Sequence, residues 1–253
     1  MIDVECKICQ SKKTVVRYQI KGFNYYYCSS CDFLFSLALD DISLSKQEFR
    51  NSEMRIAKWG SGNHAETRKR WRFFTSIAFS EIYWFSAMIY SWLKALFGKE
   101  PNFNLKKLRI LDFGCGHGLG VEMLRADGHE AIGIDPFSPV ENEYIIRKSI
   151  QDANFESNYF DLILSIESIE HISTPLEAFR EFKRILKPGG CAFIQTGWLD
   201  NPQAIEKGKD WFYLADPDIH VCIFSSTAFT RINELVGFSK LRLKSYRYAA
   251  LYK

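Results

Sequence analysis

The sequence has little net charge: 33 lysines and arginines face 30 acidic residues, a formal balance of +3. That is too mild to mark a nucleic-acid or membrane partner by itself. No internal repeat and no low-complexity tract is present, which excludes a solenoid or a compositionally biased linker as the organising feature. The N-terminus lacks the succession of positive charge, short apolar stretch and small residues that marks a secretory signal. Seven cysteines is an odd number, poorly suited to a disulfide framework, so reduced thiols in the cytoplasm are expected. What is present is ordinary for a soluble globular chain: 47% apolar and 25% charged residues. At 253 residues there is room for one α/β domain with a real core and a small appendage.

Residues 1–40 hold the appendage. Cys6-x2-Cys9 and Cys28-x2-Cys31, with eighteen residues between the pairs, have the spacing of a four-cysteine zinc site. Two knuckles each present two thiolates, and four thiolates close a tetrahedral Zn2+, which makes the ion structural. Thr14–Gln19 and Phe23–Tyr27 are rich in β-branched and aromatic residues, as a short hairpin requires. So small a module has almost no core of its own, and metal binding would supply its folding energy.

Residues 41–104 read as a helical linker or cap. The 15% aromatic content concentrates here: Trp71, Phe74, Ile77, Glu81, Phe85, Met88 and Trp92 recur at helical spacing, with Arg68, Lys69, Arg70 and Arg72 just upstream. Polar residues such as Thr75, Ser80 and Ser86 interrupt the stretch, which argues against a membrane span. Two readings stay open for residues 73–97, cap helices packed on the main domain or an interfacial helix in peripheral contact with a membrane.

From 105 to 253 strand and helix alternate. Arg109–Phe113 is a short apolar strand leading into Gly114-Cys115-Gly116-His117-Gly118-Leu119-Gly120. A helix runs through Val121 and Leu124, and the strand Ala131–Ile134 closes on Asp135-Pro136. Phe160–Ser165 is a strand, Leu176–Leu186 an amphipathic helix stopped by Lys187-Pro188-Gly189-Gly190, and Cys191–Thr196 the next strand. The pattern is that of an open, mostly parallel sheet with ligands at the strand C-termini. A dinucleotide fingerprint requires a glycine where Leu119 stands. Asp112 can instead engage a cationic amino group, and Asp135 can accept hydrogen bonds from both ribose hydroxyls, which suits an adenosine carrying an amino acid better than NAD.

Leu-Asp-Phe-Gly-Cys-Gly-His-Gly (111–118), Gly-Ile-Asp-Pro (133–136), Phe-Asp-Leu-Ile (160–163), Ile-Glu-His-Ile (169–172) and Leu-Lys-Pro-Gly-Gly (186–190) resemble, in order, the motifs of class I S-adenosylmethionine-dependent methyltransferases. The resemblance spans about residues 108–200. It implies a Rossmann-like seven-stranded, mostly parallel sheet with a reversed final hairpin. S-adenosylmethionine would be held by Asp112, Gly114, Cys115, Gly116 and Gly118 of the loop and by Asp135 and Pro136. With the paired CxxC knuckles and the run Trp211–His220, the layout is similar to bacterial methyltransferases that carry an N-terminal zinc ribbon. The acid that often meets the adenine amino group in the family is not clearly placed; Asp152 is the candidate.

The chemistry points to Glu167-Ser-Ile-Glu170-His171. In a helical turn these residues, at i, i+3 and i+4, share one face, so two carboxylates and an imidazole would converge, a set that suits Mg2+ or Mn2+. The run is similar to the metal-ligand run of small-RNA 2′-O-methyltransferases and of ubiquinone-pathway O-methyltransferases. The former add a downstream histidine, here His220. Three roles stay open: a divalent-metal site, His171 as a metal-free base or orienter, or no catalytic role. Cys115, Cys191 and Cys222 read as core or loop thiols, and His64 and His129 as surface or loop residues. Three functions follow as alternatives: O-methylation of a small molecule or glycan, methylation of RNA gripped by the ribbon and Arg68–Arg72, or cofactor binding without catalysis.

Overall fold

The computed structural model describes residues 4–38, 68, 69, 72, 73, 78, 107–244 and 248–253. The expected cap and the 73–97 segment, with Arg70, Trp71 and His64, therefore lie largely outside the described residues. Among the described residues no helix is long and apolar enough to cross a membrane.

The N-terminal strands are β1 (Thr14–Ile20), β2 (Phe23–Cys28) and β3 (Phe33–Ser36), an antiparallel meander. Lys21 and Gly22 both have positive φ, 50° and 83°, the two-residue turn whose twist matches a hairpin. Strands 14–20 and 23–28 thus take the extents that the β-branched and aromatic runs predict.

The main sheet has seven strands: β4 (Arg109–Phe113), β5 (Glu130–Ile134), β6 (Ile145–Ile146), β7 (Phe160–Ile166), β8 (Leu186–Gln195), β10 (Lys240–Lys244) and β11 (Tyr248–Tyr252). Their spatial order is β10-β11-β8-β7-β4-β5-β6. Pairs β6–β5, β5–β4, β4–β7 and β7–β8 are parallel, and β11 runs antiparallel to both β8 and β10. This is the mostly parallel sheet with a reversed final hairpin. Central strands are buried on both faces, as β7 is from Leu162 to Ser165, with successive residues in the two cores on either side of the sheet. Among the described residues, α1 (Leu119–Ala126), α2 (Pro175–Ile185) and α4 (Ser226–Val236) pack on this sheet, whereas the short α3 (Pro202–Lys207) packs through Ala204 beside the N-terminal one. Pro175 opens α2 at its first turn, where the missing N–H costs nothing. In α4 the Ser225 side chain accepts from the Ala228 amide and Gly237 closes the helix in the left-handed region.

One strand departs from the expected separation of ribbon and main domain. β9 (Cys222–Ile223) leaves the catalytic chain and pairs antiparallel with β3, Leu34 opposite Ile223 and Phe35 opposite Cys222. The N-terminal sheet thus has four strands, β1-β2-β3-β9. Its two faces are both covered, in keeping with the strand period of two. Phe33 and Phe35 enter the main core with Phe224, Phe179 and Ile232. Tyr25 and Leu34 face the other way, onto Leu199, Trp211, Tyr213 and Leu214.

Candidate functional site

Asp112 and Asp135 end the adjacent strands β4 and β5, and the glycine loop runs between them. Gly114, Gly116 and Gly118 all have positive φ. At Gly118 a Cβ would lie 2.1 Å from Ile145 Cδ1, and at Gly114 2.3 Å from Ser168 Oγ, so both need glycine on two grounds. Asp135 is buried and accepts backbone hydrogen bonds from Gly116 (3.0 Å) and Phe137 (2.8 Å), one on each oxygen. Asp112 is also buried, and desolvation first, then the charge of Asp135, pushes its pKa up to about 7. A cation beside it would favour its ionised form. Cys115 packs on the backbone at Gly133. Asp152, the adenine candidate, is exposed, and Ser149 donates to it at 2.5 Å.

The raised carboxyl gives a signed prediction. If the amino group of the cofactor is read by ionised Asp112, affinity for S-adenosylmethionine rises with pH up to about 7 and is flat above it. Below that value it falls by up to about tenfold per pH unit. For folding, the native state holds this proton between the ordinary 3.8 and about 7 while the unfolded chain has released it, so this group lowers stability as pH rises through that window. Titration calorimetry at pH 6, 7 and 8 checks the first sign; equal affinities would remove Asp112 from the amino-group contact.

A second group lies at the ends of β7 and β8. Glu170 and His171 sit on a single 3-10 turn, Ile169–His171. The expected helical turn starting at Glu167 does not form, because Glu167 takes φ 51° and its amide bonds the Gln195 carbonyl of β8 at 2.9 Å. Its carboxylate is held by Gln195 Nε2 at 2.6 Å and by the Tyr213 hydroxyl. The ligand atoms that do come together, all within 4.8 Å of one another, are those of Glu170, His171 and His220. Glu170 is fully buried and neither of its oxygens makes a hydrogen bond. Burial first, then the Glu167 charge, pushes its pKa well up. Gln195 Oε1 and Thr196 Oγ1 are likewise buried without a partner.

The two imidazoles are oriented alike. His171 Nδ1 donates to the Ile219 carbonyl at 2.8 Å, and His220 Nδ1 to the Tyr213 carbonyl at 2.7 Å. Since a carbonyl only accepts, both rings are fixed through a proton on Nδ1, as metal-binding histidines commonly are. The rings stand face to face in a row: Tyr213 on His220 at 4.7 Å, His220 on His171 at 5.1 Å. One buried carboxylate and two imidazoles form a set with open positions for a divalent ion. Tyr213, Gln195 and Thr196 were not singled out in the sequence, although Tyr213 stands inside the run Trp211–His220.

The four N-terminal cysteines converge as their spacing predicts. Cys6 and Cys31 sulfurs lie 3.5 Å apart, and Cys9 and Cys28 3.6 Å. Both exceed a disulfide bond and approach the roughly 3.8 Å edge of a tetrahedron with Zn–S of about 2.3 Å. A hydrogen bond from Cys31 draws the Cys6 thiol down; the same bond pushes Cys31 up, and burial does so at Cys28. A polar cleft of about 380 Å3 lies between these knuckles and α4, lined by Ser11, Ser30, Thr227 and Arg231 among others, away from both groups above. Cys191 and Cys222 are buried, and Cys222 Sγ donates to the Ile172 carbonyl at 3.2 Å. His129 lies in the loop between α1 and β5, one of the two placements expected of it, but it is buried, its Nδ1 accepting from Leu108 at 3.4 Å, and burial lowers its pKa.

A methyltransferase domain family matches residues 85–243, more than half of the chain. A ubiquinone biosynthesis O-methyltransferase from Mus musculus is 37% identical over 121 residues, covering 41% of this chain and 32% of that protein. The namesake enzyme from Dinoroseobacter shibae is 33% identical over 112 residues, 39% of this chain and 44% of that one. The chain thus spans less than half the length of these relatives. A solved SAM-dependent methyltransferase from Archaeoglobus fulgidus aligns at 19% identity and TM-score 0.45, covering 62% of this chain and 70% of that one.

Proposed function

Because the chain belongs to the methyltransferase domain family, we propose that it moves the methyl group of S-adenosylmethionine to an oxygen of a small-molecule or glycan acceptor, at a centre built from Glu170, His171 and His220. The observation that carries this reading is the Glu170 carboxylate, fully buried without a hydrogen bond, with its Oε1 3.9 Å from His171 Nε2 and the ligand atoms of both histidines within 4.8 Å. An isolated buried carboxylate is costly, whereas a divalent ion at that point would satisfy all three groups. Such an ion, Mn2+ or Mg2+, would supply acidity to an acceptor hydroxyl. The protein's own part is orientation. Asp112 receives the cofactor's amino group, Asp135 its ribose, and the backbone at Gly114–Gly118 passes close beneath them. Glu167, held by Tyr213 and Gln195, is the carboxylate free of the cluster and able to take the hydroxyl proton as the new C–O bond forms and the C–S bond breaks.

The RNA alternative has less to stand on. Of the tyrosines that could stack on bases, Tyr25 is buried, Tyr26 packs on Phe35 with ring centroids 5.8 Å apart, and Arg17 lies 4.6 Å over Tyr27. Two measurements test the proposal. Asp135→Ala should weaken S-adenosylhomocysteine binding by roughly 1.5–3 kcal/mol, the value of bonds to a charged group; unchanged affinity would remove the ribose contact. Labelled S-adenosylmethionine offered to fractionated cell extract should deliver label to low-molecular-weight hydroxyl compounds, with Mn2+ restoring what EDTA removes. Label in RNA alone would sink the small-molecule reading.

A further inference from the structure

The four-cysteine hairpin is tied to the catalytic chain along residues 219–223, where the Ile219 carbonyl holds the His171 ring and His220 itself stands. Every carbonyl from Ile219 to Val221 is spoken for. Ile219 accepts from His171 Nδ1, His220 accepts from the Tyr25 hydroxyl at 2.8 Å, and Val221 accepts from the Ser36 amide at 2.9 Å. Cys222 and Ile223 then enter the hairpin sheet opposite Phe35 and Leu34. On the approach, the amides of Ile219 and His220 bond the Asp216 carbonyl at 3.0 and 3.1 Å. Lys21, at the hairpin tip, pairs with the Asp216 carboxylate at 2.7 Å. The side of the hairpin sheet that carries Tyr25 and Leu34 also packs on Trp211, Tyr213 and Leu214, and the Tyr213 carbonyl is what orients the His220 ring.

We propose that the four-cysteine hairpin is the positioning element of the Glu170–His171–His220 centre, with Tyr25 as its positioning residue, rather than a separate clip for substrate or RNA. The inference rests on the metal reading only for its effect on an ion; the orientation of His220 stands on the contacts above. A metal-binding histidine needs its ring fixed by groups behind it, and loss of such a group costs about 10- to 100-fold in metal affinity. Here the group behind the His220 ring is the Tyr213 carbonyl, on a segment packed against Tyr25 and Leu34 of the hairpin sheet, and the His220 backbone is held by the Tyr25 hydroxyl just before the chain enters that sheet. A structural zinc at Cys6, Cys9, Cys28 and Cys31 would thereby govern the geometry of a second ion that it does not touch.

The test is Tyr25→Phe, which keeps the buried ring and deletes the hydroxyl, with Lys21→Ala as a second variant at the exposed tip and Tyr26→Phe as a hydroxyl-deletion control on the same strand. In zinc-loaded, histidine-labelled protein, the His220 ring resonance, identified by its loss in His220→Ala, reports stacking on Tyr213 and His171. Titration with Mn2+ and with S-adenosylhomocysteine follows on the same samples. The expected result is a moved His220 resonance and Mn2+ affinity lower by about tenfold in Tyr25→Phe, with cofactor affinity unchanged and Tyr26→Phe like the parent. A His220 resonance that stays in place in whichever of the two variants folds overturns the proposal. If the resonance moves but the parent protein binds no Mn2+, the metal reading fails and the positioning role stands.

Discussion

Replacing Cys28 by serine is expected to prevent zinc binding at the proposed four-cysteine site, unpair β3 from β9 and abolish methyl transfer while leaving the cofactor loop able to bind. Structural zinc supplies roughly 10–16 kcal/mol of apparent folding energy in small zinc modules, far more than a hairpin of this size draws from its own burial. The loss would not stay local. Cys28 and Cys31 share one apolar core with Phe33, Phe35, Phe224 and Phe179, so the thermal transition of the whole chain should fall as well. Asp112, Asp135 and the glycine loop stand instead on β4, β5 and α1. S-adenosylhomocysteine should therefore bind within about threefold of the parent below the new melting point, a difference of under 1 kcal/mol. Zinc content by elemental analysis, calorimetry and label transfer together check this. Full methyl transfer by a zinc-free protein would show that the hairpin does not support the site.

Glu170→Gln should separate metal binding from fold. The amide keeps the size of the side chain and resembles the neutral carboxyl that burial favours at this position. The metal-free variant is thus expected to melt within a few degrees of the parent. What it loses is the anionic ligand. At a Mn2+ concentration near 100 times the parent's dissociation constant, the parent gains about 2.7 kcal/mol of stability and the variant gains none. Activity on the true acceptor should drop by about 10²-fold or more, in line with loss of a main charge-stabilising group. Melting curves with and without Mn2+, in protein whose zinc content is verified, provide the measurement. A variant that methylates at the parent rate without added metal would leave His171 as a simple base as the better account.

The Rossmann-like half was largely legible because its signals are local. Arg109–Phe113 and Phe160–Ser165 are apolar runs bounded by polar or glycine residues, and both are strands where they were expected. The two CxxC knuckles were legible for the same reason: ligand spacing within a few residues dictates the geometry. Contacts distant in sequence were not. Cys222–Ile223 is a strand only because β3 offers it a partner, and two residues carry no periodicity to read. Glu167 fits the helical i, i+3, i+4 pattern, yet its amide is captured by Gln195, which turns its backbone to positive φ and sends its carboxylate to Tyr213. Tyr25 was read as a good hairpin residue, and its hydroxyl contact with His220 spans 195 positions that no spacing rule connects.

The β3–β9 pairing also sets an order of assembly. The chain leaves the ribosome N-terminus first, at about 5–20 residues per second. The cysteine knuckles are complete by Cys31, and closing so short a loop around an ion costs little entropy. The strand that finishes their sheet is not synthesised until Cys222–Ile223, on the far side of the whole catalytic core. For most of synthesis β3 is therefore an exposed edge of buried-type residues, Phe33, Leu34 and Phe35, with unpaired backbone groups. The four thiolates come together early, where the proposed zinc would bind, but the imidazole pair can be aligned only at the last long-range closure. In refolding, return of zinc-site absorbance should precede return of activity, and the interval between them is the time during which the nascent chain is open to aggregation through that edge.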